Sequence, residues 1–131
     1  MTITAFYAAL LALFFVFLSF RVIGWRRVKQ VELGHGDDNQ LLRRMRVHAN
    51  FAEYVPFTLL LMAMAESMTA PRALIHLAGL ILIAGRLIHA YGLSQTPHIL
   101  RFRVWGMILT FFALSLAALL CLFLSGLFLI A

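Results

Sequence analysis

The stretch Arg43-Arg44-Met45-Arg46-Val47-His48-Ala49-Asn50-Phe51-Ala52-Glu53-Tyr54-Val55-Pro56 decides how this chain folds, because it runs without a break into the apolar residues 57–65. Wound as a helix, it places Arg43, Arg46, Asn50 and Glu53 at i, i+3, i+7 and i+10. At roughly 100° per residue they fall within an arc of about 80°, with Tyr54 near its edge. Residues 55–65 alone are too short for the ~20 apolar residues of a spanning helix. The helix therefore has to carry Asn50 and Glu53 into the bilayer or to its edge. A charged side chain at the bilayer centre costs about 2.5–3.5 kcal/mol on insertion scales, so it is normally turned inward and paired. A stripe of cation, amide and carboxylate on one helical face has two readings: the wall of a polar pocket, or Arg–Glu pairing that holds a bundle together.

The composition around this stretch is that of a membrane protein. The chain has 131 residues, a single domain by length. Hydrophobic residues make up 63% and charged residues 12%, with a mean hydropathy of +0.95. A soluble fold would have to bury nearly all of that surface, whereas lipid accepts it freely. The net charge of +6 does not point to nucleic acid, because the Lys and Arg residues cluster beside apolar spans. That is the positive-inside pattern, and it suits anionic lipid headgroups. Cys121 is the only cysteine, which excludes an intrachain disulfide and any two-cysteine metal or redox motif. No metal site is expected, and thiol chemistry would need a ligand that brings the thiol.

Taken in order, residues 1–23 form a first apolar span closed by Arg21, Trp25, Arg26, Arg27 and Lys29. The charge follows the apolar core instead of preceding it, so this reads as a retained helix with its N-terminus outside, not a cleaved signal. Residues 29–40, rich in Gly and Asx, form a loop in which Asp38 or Asn39 caps the next helix. The second span, residues 40–67, contains Pro56, a kink position in a helix interior. After a short outer turn, residues 73–91 form the third span, with Gly79 and Gly85 as close-approach surfaces. Arg86 and His89 share a face there, while Tyr91 lies about 140° from Arg86. Arg86 among apolar neighbours calls for a carboxylate, and Glu53 is the one at matching depth. Arg101, Arg103 and Trp105 begin the fourth span, residues 102–130. Of the Lys and Arg residues only Arg72 falls on the outer side, so both basic loops are cytoplasmic and both termini external. The fold class is an all-α integral membrane protein, a four-helix up-down bundle.

The inner ends of the second and third spans lie at one membrane face, with Arg26, Arg27, Arg101 and Arg103 beside them. One carboxylate does not neutralise that many cations, so an anionic ligand is the remaining partner. A peptide-like anion suits both signs: arginines for its carboxylates, Glu53 for its ammonium, Asn50 for an amide. A small multidrug-type transporter, the competing class, would want an acidic residue deep in a span with few cations near it, and Glu53 sits near the inner edge among arginines.

Arg46-x-His48-x-Asn50-x-x-Glu53-Tyr54-x-Pro56 resembles the signature of the MAPEG family, the membrane-associated proteins in eicosanoid and glutathione metabolism. Gly85-Arg86-x-x-His89 resembles a second family block, and the chain is most similar to the short bacterial branch. The resemblance spans essentially the whole chain. It implies a homotrimer in the bacterial inner membrane, with glutathione as co-substrate at each subunit interface. Arg46, Asn50, Glu53, Tyr54, Arg86 and His89 would then contact the tripeptide, with Arg26 or Arg27 from the first helix. The thiolate-stabilising arginine falls at Arg101 or Arg103, and spacing does not choose between them. An arginine beside the sulfur lowers the thiol pKa, and the thiolate attacks a lipophilic electrophile or peroxide arriving from the bilayer. A tyrosine of some family members falls here at Leu93, one turn beyond His89. The alternative within the resemblance is a non-catalytic protein that binds glutathione or anionic lipid in the same pocket.

Overall fold

In a computed structural model that describes residues 1–130, the chain forms four helices: α1 (Thr2–Lys29), α2 (Asn39–Ser67), α3 (Arg72–Ser94) and α4 (Leu100–Ile130). Among the described residues there is no strand. Three helices, α1, α3 and α4 through Leu127, are long and apolar enough to cross a membrane. The exception is α2, whose first half carries Arg43, Arg44, Arg46 and Glu53 before the apolar run begins. The expected bundle of four helices is therefore present, and its polar content is concentrated in one of them.

α1 extends past its apolar stretch to Lys29 because its last turn is stabilised from both sides of the chain. Arg26, Arg27 and Lys29 lie in that turn, where cations complement the negative end of the helix dipole. Gln30 then adopts a left-handed conformation, and Val31 N–H bonds back to Arg26 O at 3.0 Å, a common helix ending. Asp38 caps α2: its Oδ1 accepts from Leu41 N–H at 2.7 Å. The same oxygen accepts from Trp25 Nε1 at 3.3 Å, and Lys29 Nζ lies 3.3 Å from Oδ2. One carboxylate thus joins the end of α1 to the start of α2. Arg44 closes the corner, stacked 4.3 Å from the Trp25 ring centroid and donating to Arg21 O at 3.1 Å. At the other end of the bundle, Glu66 does the reciprocal job. Its two carboxylate oxygens accept from Ile3 N–H at 2.9 Å and Thr4 N–H at 2.8 Å, supplying partners for the otherwise free first-turn donors of α1.

α2 and α3 form the middle of the bundle; α1 packs on both, as does α4, and α1 and α4 do not touch each other among the described residues. The α3–α4 seam is set by small residues. A Cβ on Gly92 would fall 2.7 Å from Arg103 N, and one on Gly106 would fall 2.5 Å from His89 N. Thus α3 and α4 approach backbone to backbone, as in membrane helix pairs built on small residues. The buried stripe of α4 continues through Thr110, Ala113, Ala117 and Cys121. The core it meets includes Phe51, Val55, Met62, Ile75 and Leu82. Outward-facing Phe6, Phe17, Leu60, Trp105, Phe112 and Phe123 leave an apolar surface around the bundle.

The two basic connections lie at the same end. Arg21 on α1 donates through both terminal nitrogens to Ser94 Oγ at the end of α3, each at 3.1 Å. Arg43 on α2 donates to Gln95 O and to Thr96 Oγ1 in the α3–α4 connection. This is the up-down arrangement that places a run of cations beside one mouth of the bundle.

Candidate functional site

At that basic end a cavity of about 320 Å³ is lined by Leu42, Arg43, Arg46 and Asn50 of α2, His89 and Leu93 of α3, and Arg103 of α4. The helical stripe read from the sequence is thus one wall, and α3 and α4 supply the others. Three guanidinium-bearing residues line it and no carboxylate does.

Arg86 forms the support beneath this wall. It is only 2% exposed, and a buried cation requires hydrogen-bonded partners. Its NH1 donates to Asn50 Oδ1 at 2.7 Å and more weakly to Asn50 O at 3.4 Å, and NH2 lies 3.4 Å from Met107 Sδ. The expected Arg86–Glu53 pair is not what forms. Asn50 faces α3, whereas Glu53 lies about 60° further round α2 on its exposed surface, and it makes no ion pair among the described residues. The consequence is chemical as well as structural: Arg86 fixes the Asn50 amide oxygen, leaving its NH₂ group free for the cavity.

His89, 4% exposed, lies with Nδ1 3.2 Å from Arg103 O. A carbonyl oxygen only accepts, so Nδ1 carries the proton in this contact and Nε2 has no partner. The absence of a side chain at Gly106 makes the contact possible, because it lets the α4 backbone reach His89.

The cavity brings Arg46, Asn50, His89 and Arg103 together, with Arg86 as their support. It leaves out the other residues picked from the sequence. Arg26 is engaged with the α1–α2 loop, donating to Glu32 O at 3.1 Å and Val31 O at 3.4 Å. Arg27 and Glu53 are exposed. Tyr54 is half-buried, packed edge-on against Phe111 at 5.4 Å. Between the two α4 arginines the geometry separates roles: Arg103 lines the cavity and Arg101 projects to the exterior. Tyr91 faces a different, apolar cleft, packed on Phe102 at 5.8 Å, while Leu93 lines the polar cavity. Arg43 belonged to the sequence stripe without a binding role, although its i, i+7 relation to Asn50 places it on this wall. His48 turns the other way, its Nε2 3.0 Å from Ser19 Oγ and its ring stacked on Phe15 at 4.5 Å, and so fastens α2 to α1.

A larger concavity of about 780 Å³ opens at the opposite end beside Glu66, Arg72 and His76, but its carboxylate is already engaged by α1. The smaller cavity, on which polar side chains from three helices converge, is the better candidate.

The sequence profile of the MAPEG family matches residues 4–124. The chain belongs to the MAPEG family. Inner membrane protein YecN of Escherichia coli K12 is 37% identical to it over 117 residues, covering 89% of this chain and 88% of the relative. The same protein from Escherichia coli O6:H1 gives the same identity and coverage. With its apolar spanning helices, this MAPEG protein is an integral protein of the inner membrane, of the glutathione- and eicosanoid-metabolism type.

Proposed function

We propose that this protein is a homotrimeric membrane enzyme that binds glutathione in the α2–α3–α4 cavity and activates its thiol against lipophilic electrophiles or peroxides. The observation that carries this reading is the convergence of Arg46, Asn50, His89 and Arg103 from three helices on one cavity with no acidic wall residue. Guanidinium groups suit the two carboxylates of the tripeptide, and the Asn50 amide suits a peptide carbonyl. Arg103 provides the positive charge that favours a thiolate over a thiol. In conjugation that sulfur forms the new S–C bond, displacing the electrophile's leaving group or opening its ring.

Self-association follows from Glu53. A carboxylate on the outward face of a membrane helix is unfavourable to leave against lipid, and a neighbouring copy packed on that face would cover it. The neighbour would also bring residues the single chain leaves outside the cavity, such as Tyr54, Arg26 and Arg27, toward the ligand.

A second reading, glutathione binding without turnover, is favoured by one feature: apolar Leu93 on the cavity wall, where the family resemblance places a tyrosine in some members. The ultraviolet absorbance of bound thiolate separates the two. An enzyme shows a thiolate band at neutral pH that disappears in Arg103→Ala. Binding without the band leaves the second reading standing.

A further inference from the structure

α1 and α4 do not touch among the described residues, so one face of α3 is left open between them. Two helical stripes line it. On α3, Ile83, Leu87, Tyr91 and Ser94 recur at i, i+4, i+8 and i+11. On α1, Leu10, Phe14, Phe17 and Arg21 recur at i, i+4, i+7 and i+11. Leu10 and Phe14 share an apolar groove of about 220 Å³ with Ile83 and Leu87. Leu87 and Tyr91 line a second one, of about 320 Å³, with Phe102 of α4. The two grooves meet at Leu87 and make one trough, and both stripes end on the same contact, in which Arg21 donates to Ser94 Oγ.

Length and charge point to what lies there. Eleven residues of helix are about 16 Å at 1.5 Å per residue, and half of a ~30 Å hydrocarbon core is about 15 Å. The trough thus runs the depth of one leaflet, apolar toward the midplane and cationic at the level of the headgroups. No acidic residue lines either groove. Arg21 spends one N–H from each terminal nitrogen on a single neutral hydroxyl, which leaves the other donors of its guanidinium for an anion. A phosphate oxygen is a stronger, charge-assisted acceptor than that hydroxyl. Arg101, exposed at the start of α4 beside Phe102 in sequence, adds a second positive charge at the same end.

We propose that this trough seats an anionic phospholipid of the leaflet at the basic end. One acyl chain lies along Leu10, Phe14, Leu87 and Phe102, and Arg21 holds the phosphate beside Ser94. The cations oppose a headgroup that carries its own ammonium, so net negative charge is selected. This site is separate from the cavity between α2, α3 and α4, and it stands whether or not that cavity takes glutathione.

The test titrates two probes with the same acyl chains, dioleoyl phosphatidylglycerol and dioleoyl phosphatidylethanolamine, into the purified full-length protein in mild detergent. Native mass spectrometry counts bound lipid per subunit. Wild type prefers the anionic lipid about fivefold, the weight of one surface cation. Arg21→Gln loses that preference, whereas Arg21→Lys, which keeps the charge, retains it. Lys29→Gln, which removes an equal charge beyond the end of the trough, leaves the preference in place. Leu87→Trp fills the junction of the two grooves from an exposed position and weakens both lipids alike. Equal binding of the two lipids by wild type, or an undiminished preference in Arg21→Gln, would overturn the proposal. A preference lost as fully in Lys29→Gln would overturn it too, reducing the contact to general surface charge. So would a Leu87→Trp protein that binds both lipids as before, or one that changes its number of copies instead, which would assign the trough to protein contact.

Discussion

Arg86 and Arg103 sit within one cluster but answer to different physics. Arg86 is buried and holds Asn50 at 2.7 Å, so Arg86→Ala removes a charged hydrogen bond and leaves a void. Destabilisation of about 2–4 kcal/mol is expected from those two terms, read as a lower unfolding midpoint in detergent. Arg103 is exposed at the cavity rim, and Arg103→Ala should shift stability by no more than about 0.5 kcal/mol while abolishing the thiolate band. Arg101→Ala, altering a side chain that points outward, should leave both stability and band in place. This contrast marks what the sequence could reveal. Helical periodicity put Arg46 and Asn50 on one arc and paired Arg86 with His89. It did not reveal which edge of the α2 arc turns inward, and for that reason Glu53 was read as the partner of Arg86 when Asn50 holds that place. Nor could spacing divide Arg101 from Arg103, because that depends on the close approach at Gly92 and Gly106.

At the scale of elements, the helix order and the polar character of α2 were legible from composition, and Asp38 was one of two cap candidates. Its further bonds to Trp25 and Lys29 were not, since they join residues whose nearness depends on how the loop folds back. The Leu41 N–H, ahead of Trp25 Nε1 and Lys29, holds the Asp38 carboxyl below the usual carboxylate range, with desolvation opposing. A group whose pKa is depressed by folding adds stability that is full above its unfolded pKa of about 3.9 and lost as pH falls through the lower folded value. Amide exchange at Leu41 should therefore remain slow from neutral pH down to about 4 and lose protection only below it. Asp38→Ala should remove the cap and lose that protection at every pH. The α3–α4 seam is less forgiving. A methyl group at Gly106 would meet backbone atoms of His89, so Gly106→Ala should cost about 1–3 kcal/mol through overpacking. It should also displace Arg103 from His89 and weaken ligand binding together with the unfolding midpoint.

For the whole molecule, the dominant facts are a bundle wrapped in apolar surface and a concentration of cations at one end. Charge counting along the sequence anticipated that end, because short loops carry their Lys and Arg to a single side. It said nothing about the cavity's size or about which cations enter it, since those depend on three helices meeting. In the proposed trimer a neighbouring copy covers the exposed Glu53 on α2: native mass spectrometry from mild detergent should show three copies, and Glu53→Arg, which puts a bulkier group of opposite charge on that face, should weaken the trimer. A monomer in wild type would contradict the assembly.

The claim beneath all of this is that the cavity between α2, α3 and α4 grips a small acidic thiol. The direct measurement is the unfolding midpoint of the purified protein against glutathione concentration, with Arg46→Ala as the comparison. Ligand at a hundred times its dissociation constant should stabilise wild type by about 2.7 kcal/mol, and the variant should show no shift over the same range. A wild-type midpoint that does not move at millimolar glutathione, or one that moves equally in Arg46→Ala, would contradict the account.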